Sequence, residues 1–134
     1  MADLTITAGS VIAGTGAQIS DGYAASAITA GQLLYVNTSS LLAPAQANGA
    51  TTDEIAGVAL NSAGTGQPVR FQHAGRYTVG ATVAVGVYVL SAAGAGGIAP
   101  EADLATGHYL SVWGSAVSTT VIEIKIHNTG ATHA

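Results

Sequence analysis

TVIEIKIHN, residues 120–128, alternates without a break: Ile122, Ile124 and Ile126 share one side, and Val121, Glu123, Lys125 and His127 share the other. In an extended strand successive side chains point to opposite faces, and β-branched residues suit a pleated, half-buried surface. The stretch predicts a strand with one dry face and one mostly wet face. PVRFQHAG, residues 68–75, alternates in the same manner, with Val69 and Phe71 set against Arg70 and Gln72. Between the two, Val79, Ala81, Val83, Val85, Val87 and Val89 occupy every second position. Gly80 and Gly86 interrupt the opposite face there, which predicts a bend or bulge dividing a strand pair. Residues 77–100 carry no charge, but a membrane span wants about 20 strongly apolar residues. This interior is broken by Gly, Ser and Thr, so no span is expected.

Helix signals are weak. TTDE, residues 51–54, matches a capping box, yet Gly57 follows within a turn and IAGVAL, residues 55–60, reads as well as a strand. PEADLA, residues 100–105, predicts a short helical turn opened by Pro100. With 18 glycines among 134 residues and turn clusters throughout, the chain is predicted to be all-β.

The sequence also repeats itself. LYVNTSSLLAPAQA, residues 34–47, is paraphrased by VYVLSAAGAGGIAPEA, residues 87–102. Tyr35 matches Tyr88, Pro44 matches Pro100 and His73 matches His127, at offsets of 53 to 56 residues. Each copy supplies about four strands, and neither could bury its apolar face alone. The expectation is a small β-barrel or β-sandwich built from two similar units of about 54 residues, spanning 29–76 and 77–130. Residues 29–134 then form the β-domain. Residues 1–28 form an extended N-terminal arm or an edge strand, and such an arm could order on a neighbour by adding a strand to an exposed edge.

Composition bounds the function. Hydrophobic residues make up 49% of the chain but charged residues only 7%, against roughly 25% in ordinary domains. A surface so poor in charge points to burial in an oligomer or a larger assembly. The net charge is −4, and the cations are Arg70, Arg76 and Lys125 alone. Three dispersed cations do not make a phosphate-binding patch, so neither nucleic acid nor an anionic membrane surface is an expected partner. There is no cysteine, which removes disulfides and thiolate metal sites. MADLTITAGS, residues 1–10, has an early Asp3 and no basic flank, and does not read as a signal peptide.

Convergent chemistry is not legible. The histidines are His73, His108, His127 and His133, and no two have the close spacing of a strong metal motif. His73 and His127 end equivalent strands and read as hydrophilic strand ends. The carboxylates are Asp3, Asp21, Asp53, Glu54, Glu101, Asp103 and Glu123. Two of their clusters fall in corresponding loops, without the ligand density of a calcium motif. The Gly-rich stretches lack a phosphate-loop lysine, and no serine sits in a nucleophile elbow. Asn37-Thr38-Ser39 is a formal glycosylation sequon. Trp113 with nearby tyrosines could form a sugar platform, although one Trp on an alternating strand reads first as core. No enzymatic activity, catalytic residue, cofactor or metal is expected.

Four features together resemble the capsid decoration, or cement, proteins of tailed bacteriophages. They are an I-x-A-G-Q-x-x-Y-V passage beginning at Ile28, the Gly57-Val58-Ala59 strand, VRFQHAG at residues 69–75, and a V-G-x-x-V passage from Val79 leading to V-Y-V at residues 87–89. The resemblance covers residues 28–130. It implies a β-rich protein on the outer surface of the virion capsid, made in the host cytoplasm, often trimeric, that binds the major capsid protein and stabilises the head. It also implies a capsid-binding arm, for which the candidates are Asp3, Leu4, Thr5, Ile6, Thr7, Val11, Ile12 and Ile19. The alternative is a receptor- or glycan-binding β-module of a phage fibre or virion surface.

Overall fold

The two cleanest alternating stretches become the two longest strands of the computed structural model, which describes residues 4–47, 54–91, 96–100 and 108–132. β6 (Pro68–Thr78) and β10 (Val121–Thr132) lie antiparallel, with Ile122 opposite Tyr77 and Ile124 opposite Gly75. Before β6 come β1 (Ile12–Ala13), β2 (Gln18–Tyr23), β3 (Leu33–Val36), β4 (Leu42–Pro44) and β5 (Gly57–Ala59). Between β6 and β10 come β7 (Gly86–Leu90), β8 (Ile98–Pro100) and β9 (Tyr109–Ala116), and a 3-10 turn spans Ala8–Ser10. The strands form one curled antiparallel sheet, a half-barrel, in the order β4-β3-β5-β6-β10-β9-β7-β8. β1 and β2 both pair with β6, off that path. The chain is thus all-β among the described residues, as its alternation predicts.

β6 belongs to both halves of the sheet. Its first half lies between β2 and β5, and its second half between β1 and β10. It bends at Gly75, whose φ of +87° is a left-handed conformation that favours glycine. A Cβ at Gly75 would press into the Gly16 carbonyl and lie 2.7 Å from the Ala17 nitrogen. From the inside, the buried Gln72 side chain braces the bend: its Nε2 donates to the carbonyls of Ala74 (3.0 Å) and Arg76 (2.9 Å). The bend also changes which residues face inward. Gln72 is buried before it and Tyr77 after it, so the parity of the strand shifts by one.

Hydrogen bonds gather the ends of the sheet order. Leu33 N donates to Gly96 O (2.9 Å), Ala47 N to Ser91 O (3.0 Å) and Tyr109 N to Ala47 O (2.8 Å). The main core draws on both halves of the chain, including Leu33, Val58, Tyr77, Leu90, Ile98, Trp113 and Ile122. A second cluster, with Ala24, Ile28, Leu34, Leu42 and Val69, lies on the other side of the β3–β6 half. Val69 and Phe71 therefore do face apolar neighbours, but in this second cluster rather than the main core.

The valine run is not one strand pair. Residues 79–85 form a loop, and only β7 is extended. Gly80, at φ +83°, turns the chain against the N-terminal segment, where Thr7 N donates to its carbonyl at 2.8 Å. Val79 and Val83 enter the core from this loop, whereas Val85 is 73% exposed. The helical turn expected over residues 100–105 and the capping box over residues 51–54 fall largely outside the described residues. Gly57–Ala59 of IAGVAL is the strand β5.

The two halves share a connectivity, since β3-β4-β5-β6 and β7-β8-β9-β10 take mirrored places in the sheet order. Their landmarks are displaced, however: Leu34 pairs with Pro44, whereas Tyr88 pairs with Pro100. By ladder position the partner of Tyr88 is Leu34, not Tyr35. Residues 4–28 run along this domain throughout. Leu4 N donates to Ile98 O (2.8 Å), Val11 is buried in the main core, and β2 pairs with β6 from Gln18 to Tyr23.

Replacing Gly75 with Ala is expected to lower unfolding free energy by at least about 2 kcal/mol, combining backbone strain with a collision. Gly66→Ala is the matched control, because Gly66 also has positive φ (+81°) but nothing within 4 Å of its Cβ position. Denaturant titrations followed by Trp113 fluorescence compare the two. Equal losses would show that the Gly16 contact contributes nothing.

Candidate functional site

The outer face of the sheet carries a row of apolar side chains at one end. Ile12 pairs with Thr78, and Thr78 pairs with Val121. Val117 N donates to Val121 O (3.0 Å) across the tight turn joining β9 to β10. Gly86 pairs with Ala116, and Val85 and Val117 are the residues immediately beyond that pair. One position along the same strands, Tyr77, Ile122 and Ala116 point into the core. By strand alternation Ile12, Thr78 and Val121 then point outward, while Val85 and Val117 lie just beyond the ends of β7 and β9. Ile12 is 60% exposed, Val85 73% and Val117 39%. The next row contains Arg76, Glu123, Ser115 and the exposed Val87.

Beside the row lies an open cleft of about 450 Å³ lined by Thr5, Thr7, Ser10, Thr78, Gly80, Ala81, Thr82 and Thr120. Three chain segments meet here because Gly80 docks on Thr7 while Val79 N and Val83 N bond Thr120 O (3.0 Å) and Thr119 O (2.8 Å). None of the lining side chains ionises. Hydroxyls can both donate and accept, so the cleft suits uncharged polar groups such as amides.

The candidate arm residues divide between two environments. Leu4 and Ile6 pack against the main core and Val11 is part of it. Thr5 and Thr7 line the cleft, and Ile12 belongs to the apolar row. Ile19 is 38% exposed on β2, away from that row, and Asp3 lies outside the described residues. Sequence reading missed Val85, Val117 and Thr120. The outward parity of Val117 and Val121 about the STT turn, residues 118–120, is the signal that could have found them.

The charged groups are engaged with one another. Arg70 Nε lies 3.2 Å from Asp21 Oδ1, Arg76 Nε 3.8 Å from Glu123 Oε2, and Lys125 Nζ 3.8 Å from Glu123 Oε1. All three cations of the chain thus have carboxylate partners. Such exposed pairs contribute roughly 0–1 kcal/mol each. Glu54 is exposed, and Asp53, Glu101 and Asp103 lie outside the described residues.

The histidines are not gathered. His73 shares a 3.0 Å hydrogen bond between its Nε2 and Ser20 Oγ, beside the Phe71 ring. His127 is exposed on β10, and the pairing of β6 with β10 stops at Gly75 and Ile124, short of both. His108 is half-buried and His133 lies outside the described residues. Among the described residues no group of three or more His, Cys, Asp or Glu could hold a metal ion. No helix among them is long and apolar enough to cross a membrane.

Trp113 is fully buried, as a core reading of its alternating strand expects, and does not form a sugar platform. Its Nε1 donates to the Tyr77 hydroxyl at 2.9 Å, with the rings edge-on at 5.8 Å. Burial raises the Tyr77 phenol far above its ordinary value, and the Trp113 hydrogen bond offsets part of that rise. Asn37 of the sequon is occupied locally: its Oδ1 accepts from Ser39 N (2.9 Å) and Leu41 N (3.0 Å), shaping the turn that holds Ser40 at φ +62°.

No protein-family model matches the sequence, and no curated protein matches it.

The Tyr77 environment predicts an alkaline limit. A phenol whose folded-state value is raised contributes its full stability below about pH 10, where the unfolded phenol is protonated, and loses it as pH rises further. Stability is expected to fall above pH 10 more steeply in the parent than in Tyr77→Phe. The variant should also lose about 1–3 kcal/mol at neutral pH, because the Trp113 N–H is left without its acceptor. Denaturation midpoints from pH 7 to 11 check both effects.

Proposed function

We propose that the protein is a structural virion component that decorates and stabilises the outer surface of a bacteriophage head by bridging major capsid subunits. The observation that carries this reading is the character of its surface. The few cations are paired with carboxylates, and three large apolar side chains are exposed together in one row. A surface of that kind suits a protein partner and offers little to a phosphate backbone. The phage resemblance of residues 28–130 supplies the identity of that partner.

In this reading the two halves descend from one duplicated unit, which the mirrored strand order supports. Within the arm, Leu4, Ile6 and Val11 hold the segment to its own domain. Thr5, Thr7, Ile12 and Ile19 are its exposed positions for the shell. A trimer on the shell follows from the resemblance. Synthesis in the host cytoplasm, followed by addition to the outside of the head, completes the picture. A copy that binds the assembled shell and not its free subunits stabilises the shell by mass action, by about 2.7 kcal/mol per site at a concentration 100 times Kd.

Heads assembled without the protein are expected to recover heat resistance when the purified protein is added. Electron microscopy should then show added density on the outer surface. Because attachment does not depend on ion pairs, raising salt from about 0.05 to 0.5 M should change occupancy less than twofold. Bare heads after saturation with folded protein would exclude the reading.

A further inference from the structure

We propose that the docking face is the end of the half-barrel formed by the Ile12–Val117–Val85 row and the threonine cleft, and that its occupant is an uncharged polypeptide surface of the assembled shell. The inference rests on the decoration reading and adds to it the face and its chemistry. Three observations carry it.

The first is charge. Among the described residues no ionisable side chain lines the cleft or stands in the row, and Arg76 in the next row is held by Glu123. A phosphate, an acidic glycan or a charged headgroup brought here would lose water without gaining a counter-charge. Backbone amides and neutral side chains would exchange their water for the hydroxyls of Thr5, Thr7, Thr82 and Thr120.

The second is geometry. The row crosses β1, β6 and β10 and reaches the ends of β9 and β7. At about 4.8 Å between strands it is about 19 Å long. With a width of about 7 Å, two residues along a strand, it offers about 130 Å², against the roughly 800 Å² per partner of a stable one-to-one complex. The row by itself is therefore too small to hold two free copies together. On an ordered shell the same face acts together with the other contacts of a bound copy, and the effective concentration of the second contact is high.

The third is what stands behind the face. Tyr77, Ile122 and Ala116 are core residues directly beneath it, and Val79 and Val83 anchor the cleft loop in the same core. The face is held rigid before docking, which reduces the ordering cost of binding.

The experiment uses heads assembled without the protein and purified full-length variants. Val85→Asp and Val117→Asp place a carboxylate in the row at exposed positions, and Thr82→Tyr fills the cleft. Tyr23→Asp is the control, since Tyr23 is exposed on β2 and outside the face. Trp113 fluorescence and denaturation midpoints establish that each variant is folded. Occupancy is expected to require at least tenfold more protein for the three face variants and to be unchanged for Tyr23→Asp.

Folded face variants that decorate heads as well as the parent would overturn the inference and leave the decoration reading standing. A parent that does not bind heads would remove both. Sedimentation of the free protein provides the remaining arm. Concentration-dependent association abolished by Val85→Asp, with head binding intact, would assign the face to a second copy and overturn the proposal.

Discussion

The contact between Gly75 and Gly16 is the constraint on which the rest of the structure depends. One long strand must serve two half-sheets, and it does so only by bending where backbone meets backbone with no Cβ between them. Once β6 bends there, β5 and β10 can both pair with it along different halves, and the sheet curls. Gln72 answers the polar consequence, holding the carbonyls on either side of the bend from the dry interior. Its own Oε1 is buried without a partner among the described residues. An amide that spends its two N–H groups on the bend and leaves its oxygen unsatisfied indicates that geometry, not side-chain solvation, governs this position.

The same bend explains why the N-terminal segment cannot be treated as separable. Gly16 lies between β1 and β2, so the partner that shapes β6 belongs to the part of the sequence that looked like an arm. Val11 enters the main core, and Ala24 and Ile28 cover the second cluster. Removing the first twenty residues would expose the edge of β6 and open a void beneath the Thr7–Gly80 contact. Substitution at exposed positions is therefore a cleaner probe of any arm function than truncation.

Much of the fold was legible because alternation is a direct image of the pleat. Residues 120–128 read correctly in outline, with Ile122 and Ile124 buried, Ile126 half-buried, and Lys125 and His127 exposed. The valine run predicts a strand pair divided at its glycines; Gly80 at positive φ does turn the chain, but residues 79–85 form a loop and only Gly86–Leu90 is a strand. In residues 68–75 Val69 and Phe71 do face apolar neighbours, but Gln72, expected with Arg70 on the wet face, is fully buried. A strand exposed to apolar neighbours on both faces gives no sequence signal for which cluster is the larger. The candidate surface was half legible. Ile12, Thr5 and Thr7 were named from the segment they occupy, but Val85 and Val117 join them only through pairings across β6, β10 and β9. No local pattern records such pairings.

A chain with so little charge and several exposed valines would be open to edge-to-edge aggregation unless its edges were closed. They are largely closed here. β4 is covered by Ala24 and Ala25, the latter donating to Leu42 O at 2.8 Å, and β8 is covered by Leu4. β2, which pairs only with β6 among the described strands, carries the Asp21–Arg70 ion pair and a register shift between Gln18 and Ile19. A charge and a bulge on an outer strand discourage an incoming strand, and this weighs against the expectation that residues 1–28 act by adding a strand to a neighbour. The apolar row is different in kind, because it offers side chains on a sheet face rather than a strand edge. A partner there gains side-chain packing and hydroxyl contacts but no ladder hydrogen bonds. Recognition by a face also discriminates better than recognition by an edge: any extended chain can satisfy a row of N–H and C=O groups, whereas few surfaces match the spacing of three valine-sized side chains beside an uncharged cleft.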